Sequence, residues 1–236
     1  GTYFDKCEIA GPGFPNFTYE PRFYGEVLQD IHRLGGDYGR SDYGQGKRVL
    51  VEFVSANPTG PMHIGNARGG VLGDALASVL DAAGYQVERE FYINDAGNQV
   101  NKFGASLEAR YLQLYKGEEA VPFPEDGYKG EDIIAHAKNF AQEYGDKYVQ
   151  ASEEERRAAL VAYALPKNIQ GLHDDLARYR VEYDNWFKES SLHENGAVGR
   201  VVELLKEKGA TYEKEGATWF HGEAYGSEDF VLVRGN

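Results

Sequence analysis

The sequence has 236 residues, a net charge of −13, and 42% hydrophobic and 13% aromatic residues. That composition excludes a disordered chain and fits one large domain or a domain with an insertion, while the acidic excess argues against stand-alone nucleic-acid binding, which needs clustered Lys and Arg. The lone Cys7 excludes a disulfide framework, and with no long apolar run and no signal-peptide pattern the expectation is a cytoplasmic protein that does not engage a membrane.

Residues 1–45, rich in Gly, Pro and Tyr, predict a short strand or two and a helix near 21–35. Arg48 to Val54 is a short, β-branched, mostly apolar run broken by Glu52, and reads as a buried parallel strand. Ile64 to Ala83 reads as a helix, with Val71, Leu72, Ala75, Leu76, Val79 and Leu80 at helical spacing and Gly84 placed to stop it. Gln86 to Ile93 predicts a second strand, completing a βαβ unit, and Asp95 is expected to cap a helix running to about Lys116. After a Gly/Pro/acidic loop at 117–130, helices are expected at about 131–145 and 152–180. The second opens on a capping box, Ser152 to Glu155, and Pro166 should kink or break it. A helix over roughly 194–208 stops at Gly209, and two or three short strands with a turn near Gly216 fill 211–236.

Between the first strand and its helix, an apolar run ends in the turn Pro58-Thr59-Gly60-Pro61, which delivers His63-Ile64-Gly65-Asn66 into the helix start. That is the layout of a nucleotide site at the end of a parallel strand. A helix N-terminus offers free N–H groups and partial positive charge to phosphates. Gly65 removes a side chain where a nucleotide must approach, and His63 and Asn66 can donate hydrogen bonds to phosphate oxygens. The competing reading is a plain strand-turn-helix with an incidental surface His. Glu52 is costly in an apolar strand unless paired, either with a cationic ligand or with Arg48 or Arg68. The other histidines, His32, His136, His173, His193 and His221, have no metal-ligand spacing, so no metal site is expected.

The stretch Glu52 to Gly70 (EFVSANPTGPMHIGNARGG) resembles the signature of class I aminoacyl-tRNA synthetases, specifically the arginyl-tRNA synthetase family. The resemblance continues through Leu72-Gly73-Asp74-Ala75-Leu76, Ala82-Ala83-Gly84-Tyr85 and the specific block Glu90 to Gln99 (EFYINDAGNQ). Glu8 to Phe14 with Asn16-Phe17 resembles the end of that family's N-terminal tRNA-binding domain, and Asp229 to Arg234 the strand before the second half of its catalytic fold.

The resemblance implies an α/β fold: the first half of a class I, Rossmann-like (HUP-type) parallel sheet with a largely helical insertion. The expected division is 1–20 as the end of the N-terminal additional domain and 21–45 as a linking helix. Residues 46–104 would be the first catalytic half, with the HIGH-type motif at 56–66. Residues 105–208 would be the helical insertion and 209–236 short strands leading onward. It further implies that Pro58, His63, Gly65 and Asn66 contact ATP, with His63 and Asn66 stabilising charge in adenylyl transfer. Asn66 stands where the family commonly has a second histidine. Glu52, Ser55 and Asn57 match positions that bind arginine. ATP, brought with Mg2+ as substrate, arginine and tRNA(Arg) would be the partners.

The family's second ATP signature, a Lys-Met-Ser-Lys loop, needs a Met, and the only Met here is Met62; members lacking that loop place a Lys where this chain has Gly60. With Gly at position 1 and a strand-like run at the other end, both ends are expected to be cut, and the chain alone inactive. Two other readings stay open: another nucleotidyl transferase with a HIGH-type motif, and a non-catalytic arginine- or tRNA-binding paralogue.

Overall fold

The computed structural model describes residues 3–234. The chain divides into two compact units, Gly1–Val49 with Leu76–Val87, and Leu50–Ala75 with Glu88–Asn236.

In the first unit, β1 (Phe4–Ala10) and β2 (Phe14–Tyr19) form an antiparallel hairpin, followed by α1 (Pro21–Leu34). Pro21 sits where a helix start has no use for an N–H. The hairpin is held largely by rings: Phe4 lies 4.9 Å from Phe17, and Tyr19 stacks on Phe23 at 4.4 Å. Of residues 3–49 only Gly44 is buried.

The parallel sheet has the order β3-β4-β5, with β3 Arg48–Glu52, β4 Gln86–Ile93 and β5 Asn185–Lys188. Helix α2 (Ile64–Ala82) connects β3 to β4. It ends as its sequence predicts. Gly84 has φ +87°, its N–H bonds the Asp81 carbonyl at 2.9 Å, and Tyr85 N–H reaches back to the Leu80 carbonyl at 3.1 Å, a Schellman closure. Its apolar stripe is not its most buried face. Val71, Leu72, Leu76 and Val79 are exposed, whereas Gly70, Gly73 and Ala77 are buried. A Cβ on Gly73 would collide with the Phe53 ring, so the small-residue face lets α2 lie close against the sheet. The strand β3 is half-exposed rather than buried, with Leu50 at 52% exposure, because it is the edge of this sheet.

β5 is a strand that the sequence reading did not expect inside the 105–208 block. It pairs parallel to β4 with Phe91 opposite Trp186, the two rings stacked at 4.4 Å.

Three long helices follow β4: α3 (Asn98–Lys116), α4 (Glu131–Tyr144) and α5 (Glu153–Arg178). They enclose one core around Phe103, Leu107, Tyr111, Phe140 and Leu160. Ser152 caps α5 by accepting from Glu155 N–H at 3.2 Å. The helix runs unbroken through Pro166, so the expected break does not occur; the carbonyl of Ala162, which loses its N–H partner there, belongs to an exposed residue that water can reach. A second core, around Phe53, Phe91, Ile93, Leu172, Leu176 and Val181, lies between the sheet and the far end of α5. Short α6 (Ser190–Glu194) and α7 (Ala197–Glu207) lead to an antiparallel sheet β6 (Thr211–Lys214), β7 (Ala217–Phe220) and β8 (Phe230–Val233). Its first hairpin turns through Glu215 and Gly216, both at positive φ, as a two-residue turn requires. The last two positions of the expected 211–236 strand region, Gly235 and Asn236, lie outside the described residues.

Candidate functional site at the strand ends

The residues singled out from the sequence gather at the carboxyl end of the parallel sheet, where open α/β folds place ligands. They form two small polar assemblies in the 52–66 segment.

The first is built on Glu52, the last residue of β3. The Ser55 hydroxyl donates to the Glu52 carboxylate at 2.8 Å and accepts from Tyr92 N–H at 3.1 Å. This fixes the loop to β4. The backbone there is tight: Val54 and Ser55 have φ +67° and +41°, and Ser55 N–H closes onto the Phe53 carbonyl at 3.0 Å. A β-branched residue in the left-handed region is strained by about 1–3 kcal/mol. The Tyr183 hydroxyl donates to the same Phe53 carbonyl at 3.0 Å while its ring stacks on Phe53, which holds the turn in place. Burial first, then the Asp74 charge, pushes the Tyr183 phenol far above its ordinary value, so it stays a donor. Asn57 is exposed beyond this turn.

Two further carboxylates act with Glu52 on the Tyr92 phenol. Asp95 follows the end of β4 and Glu189 the end of β5. Asp95 does not cap α3, whose N-cap is Gly97; its carboxylate accepts instead from Ser190 N–H and the Ser190 hydroxyl, both at 2.8 Å, tying the end of β4 to the start of α6. With its amide flipped, Asn94 donates to Glu189 at 3.0 Å. Burial, then the hydrogen-bonded Glu189 carboxylate, then Glu52 and Asp95, raise the Tyr92 phenol above its ordinary value. Tyr92 therefore senses all three carboxylates. None of the three forms an ion pair among the described residues. In particular, Arg68 does not pair with Glu52. The sequence signal for Glu189 was hidden because β5, the strand that presents it, is only four residues long.

The second assembly is the start of α2. His63 acts as its N-cap. The His63 ring Nδ1 accepts from Gly65 N–H at 3.1 Å, and the Asn66 side-chain oxygen accepts from His63 N–H at 3.0 Å. This is a capping box with His and Asn in place of the usual Ser and Glu. Three consequences follow. With Nδ1 accepting, the proton of the neutral imidazole sits on Nε2, on an exposed ring. Asn66 spends its oxygen on the cap and keeps its amide N–H groups as donors. Gly65 has a second reason to be Gly: a Cβ there would lie 3.0 Å from His63 Cε1 and Nδ1 and press on the capping ring. The backbone donors are less free than a bare helix start would leave them, since Asn66 and Ala67 N–H both turn to the His63 carbonyl, at 2.9 and 3.4 Å. The two side chains carry the outward-facing donors, a set that fits phosphate oxygens. An apolar cleft of about 270 Å3 opens beside His63, lined by Met62, Ile64, Ala67, Leu176 and Tyr179.

Pro58 and Thr59 are buried in the turn between the assemblies. A larger cavity of about 690 Å3 lies away from the strand ends, between α3 and the start of α5; its Arg157 is already committed to Glu108 and Glu153. Among the described residues no group of His, Cys, Asp and Glu is arranged to hold a metal ion, and no helix is long and apolar enough to cross a membrane.

Residues 29–233 match the family model described as class I (R) tRNA synthetases, catalytic domain. A protein of Ruminiclostridium cellulolyticum named arginine–tRNA ligase is 57% identical over 100% of this chain and 42% of its own length. One of Caldanaerobacter subterraneus with the same name is 60% identical at the same coverage. A Campylobacter jejuni structure assigned as an arginyl-tRNA synthetase superposes with a TM-score of 0.77 at 34% identity, covering 90% of this chain and 46% of that one. A Thermus thermophilus arginyl-tRNA synthetase structure, at 22% identity and TM-score 0.58, shares the fold. The chain thus spans about two fifths of the length of the curated relatives it matches.

Proposed function

The chain belongs to the family of class I (R) tRNA synthetase catalytic domains, and from that premise we propose that it carries the arginine pocket and part of the ATP pocket of an arginine–tRNA ligase. The observation that supports this best is the set of unpaired carboxylates, Glu52, Asp95 and Glu189, at the ends of three adjacent parallel strands. Such a set favours a cation, and a guanidinium can take two carboxylate hydrogen bonds at once. Glu52 would hold the substrate side chain, and Ser55 and Asn57 its α-amino and carboxylate groups. His63 Nε2–H and the Asn66 amide would donate to ATP phosphates as the arginine carboxylate attacks the α-phosphate in line, with Gly65 and Pro58 shaping the approach. Arginyl-adenylate and pyrophosphate would form, and the arginyl group would then move to tRNA(Arg). Catalysis rests on position and electrostatics. Mg2+ would arrive on the ATP phosphates.

The division of the chain into the end of an additional domain, a catalytic half and a helical insertion belongs to this reading. So does the expectation that residues 1–236 alone do not charge tRNA, since they hold neither a Lys-Met-Ser-Lys stretch nor a lysine at position 60. The test is tRNA charging with each labelled amino acid, by this chain and by the full reading frame that contains it. Arginine alone should be charged, and only by the longer form. Charging of another amino acid, or AMP transfer to a non-tRNA acceptor, would overturn the reading.

A further inference from the structure

The turn that precedes His63 is held from outside, by side chains of α4 and α5 that the sequence gives no reason to connect with it. Asn168, on α5, donates from its Nδ2 to the Pro58 carbonyl at 2.9 Å. Its Oδ1 meets His136 Nε2, on α4, at 2.7 Å. The chemistry of the chain of bonds fixes every hydrogen. A carbonyl only accepts, so the Asn168 amide must face Pro58 with its nitrogen. Its oxygen then faces His136, so His136 Nε2 must carry a proton. Asn168 lies on the stretch of α5 between Ala164, in the helical core, and Leu172, in the sheet core, so both ends of the amide's support are packed. Pro58 itself is buried, and a buried carbonyl without its donor costs about 1–3 kcal/mol.

We propose that Asn168 is a positioning residue for the nucleotide half of the site: it sets the Pro58 carbonyl, and thereby the turn that delivers His63 to the head of α2, while His136 keeps the Asn168 amide in its donating orientation. The inference rests on the reading of His63 as an ATP contact. It assigns to the helical layer a part in ATP binding and none in arginine binding, because the Glu52 assembly is tied to β4 by a separate set of bonds.

The experiment measures ATP and arginine affinity by calorimetry on the full reading frame, for the parent and for Asn168→Ala, Asn168→Asp, His136→Leu and His136→Gln, with arginine-dependent ATP–pyrophosphate exchange alongside. Asn168→Ala is expected to weaken ATP binding about five- to tenfold, the worth of one hydrogen bond to a buried group, and to leave arginine affinity unchanged. Asn168→Asp should be at least as poor, because a carboxylate would face the Pro58 oxygen. His136→Leu should show a smaller loss, and His136→Gln, which keeps a donor at similar reach, should restore ATP binding. If Asn168→Ala does not fold, the contrast between the two His136 variants carries the test. ATP affinity unchanged in a folded Asn168→Ala, or arginine affinity falling equally, overturns the proposal. A parent that binds ATP but never activates arginine with tRNA present overturns the functional reading while leaving the Asn168 contrast intact.

Discussion

Helix α5 serves two cores that differ in kind. Its first half closes the helical core with α3 and α4; its second half covers the sheet core under Phe53 and Phe91. The helical core is sealed by a charge hub. Glu108, 9% exposed at its side chain, takes Arg156 at 2.7 Å and Arg157 at 2.6 Å, and Arg156 also donates to the Ala151 carbonyl at 2.7 Å. Every charge there has its partner. The sheet core ends instead in strained backbone at Val54 and Ser55 and in carboxylates without cations. The Glu108 hub meets its charge with charge; the strand-end carboxylates take neutral hydrogen-bond donors and no cation among the described residues. Strain and unpaired charge are stable only where the surroundings over-determine them, and they collect where a ligand completes the structure.

The contrast can be broken at several points. Glu108→Ala would leave the buried Arg156 guanidinium without its counter-charge, with Arg157 keeping only Glu153, and should cost about 3–5 kcal/mol in a denaturant titration. The corresponding change on the sheet side, Glu52→Gln, should leave the unfolding midpoint nearly where it was, since Glu52 has no ionic partner to lose. Gly73→Ala pushes a methyl into the Phe53 ring and should cost about 1–3 kcal/mol by overpacking. Asn66→Ala removes one arm of the capping box and should cost about 1 kcal/mol, read as a lower melting temperature. The smallest effect concerns His173, stacked on Trp186 and held below its ordinary pKa by burial, with Asp174 opposing. The unfolded chain then binds the proton more readily than the folded one. Stability should fall as pH drops below about 6.5, and His173→Phe should flatten that part of the profile.

What the sequence made legible, and what it hid, follows the range of the interactions. The βαβ unit was readable because strand and helix periods and the stops at Gly84 and Gly209 are local. The first half of the Ser152 capping box was readable for the same reason. The packed face of α2 could not be read from its apolar stripe, because close approach to Phe53 requires Gly73. Asp95 was misread as a helix cap because its real partner, Ser190, stands 95 positions away. In the site, His63, Asn66, Glu52 and Ser55 were each picked out, but not what they do for one another. The His63–Asn66 capping box needs atom positions, since His and Asn are not its usual residues. Glu189 and Asn168 carry no local signal at all; a short strand and a long helix bring them to the site.

The account turns on the strand-end carboxylates recognising a guanidinium beside the His63 cap. The most direct measurement is ATP–pyrophosphate exchange by the full reading frame, in the presence of tRNA, with arginine and with citrulline, its uncharged near-isostere, in the parent and in Glu52→Gln. The parent should use arginine and ignore citrulline, and Glu52→Gln should raise the arginine KM by at least about tenfold, as loss of a charged hydrogen bond requires. A parent that uses both equally, or a Glu52→Gln variant with an unchanged arginine KM, would contradict it.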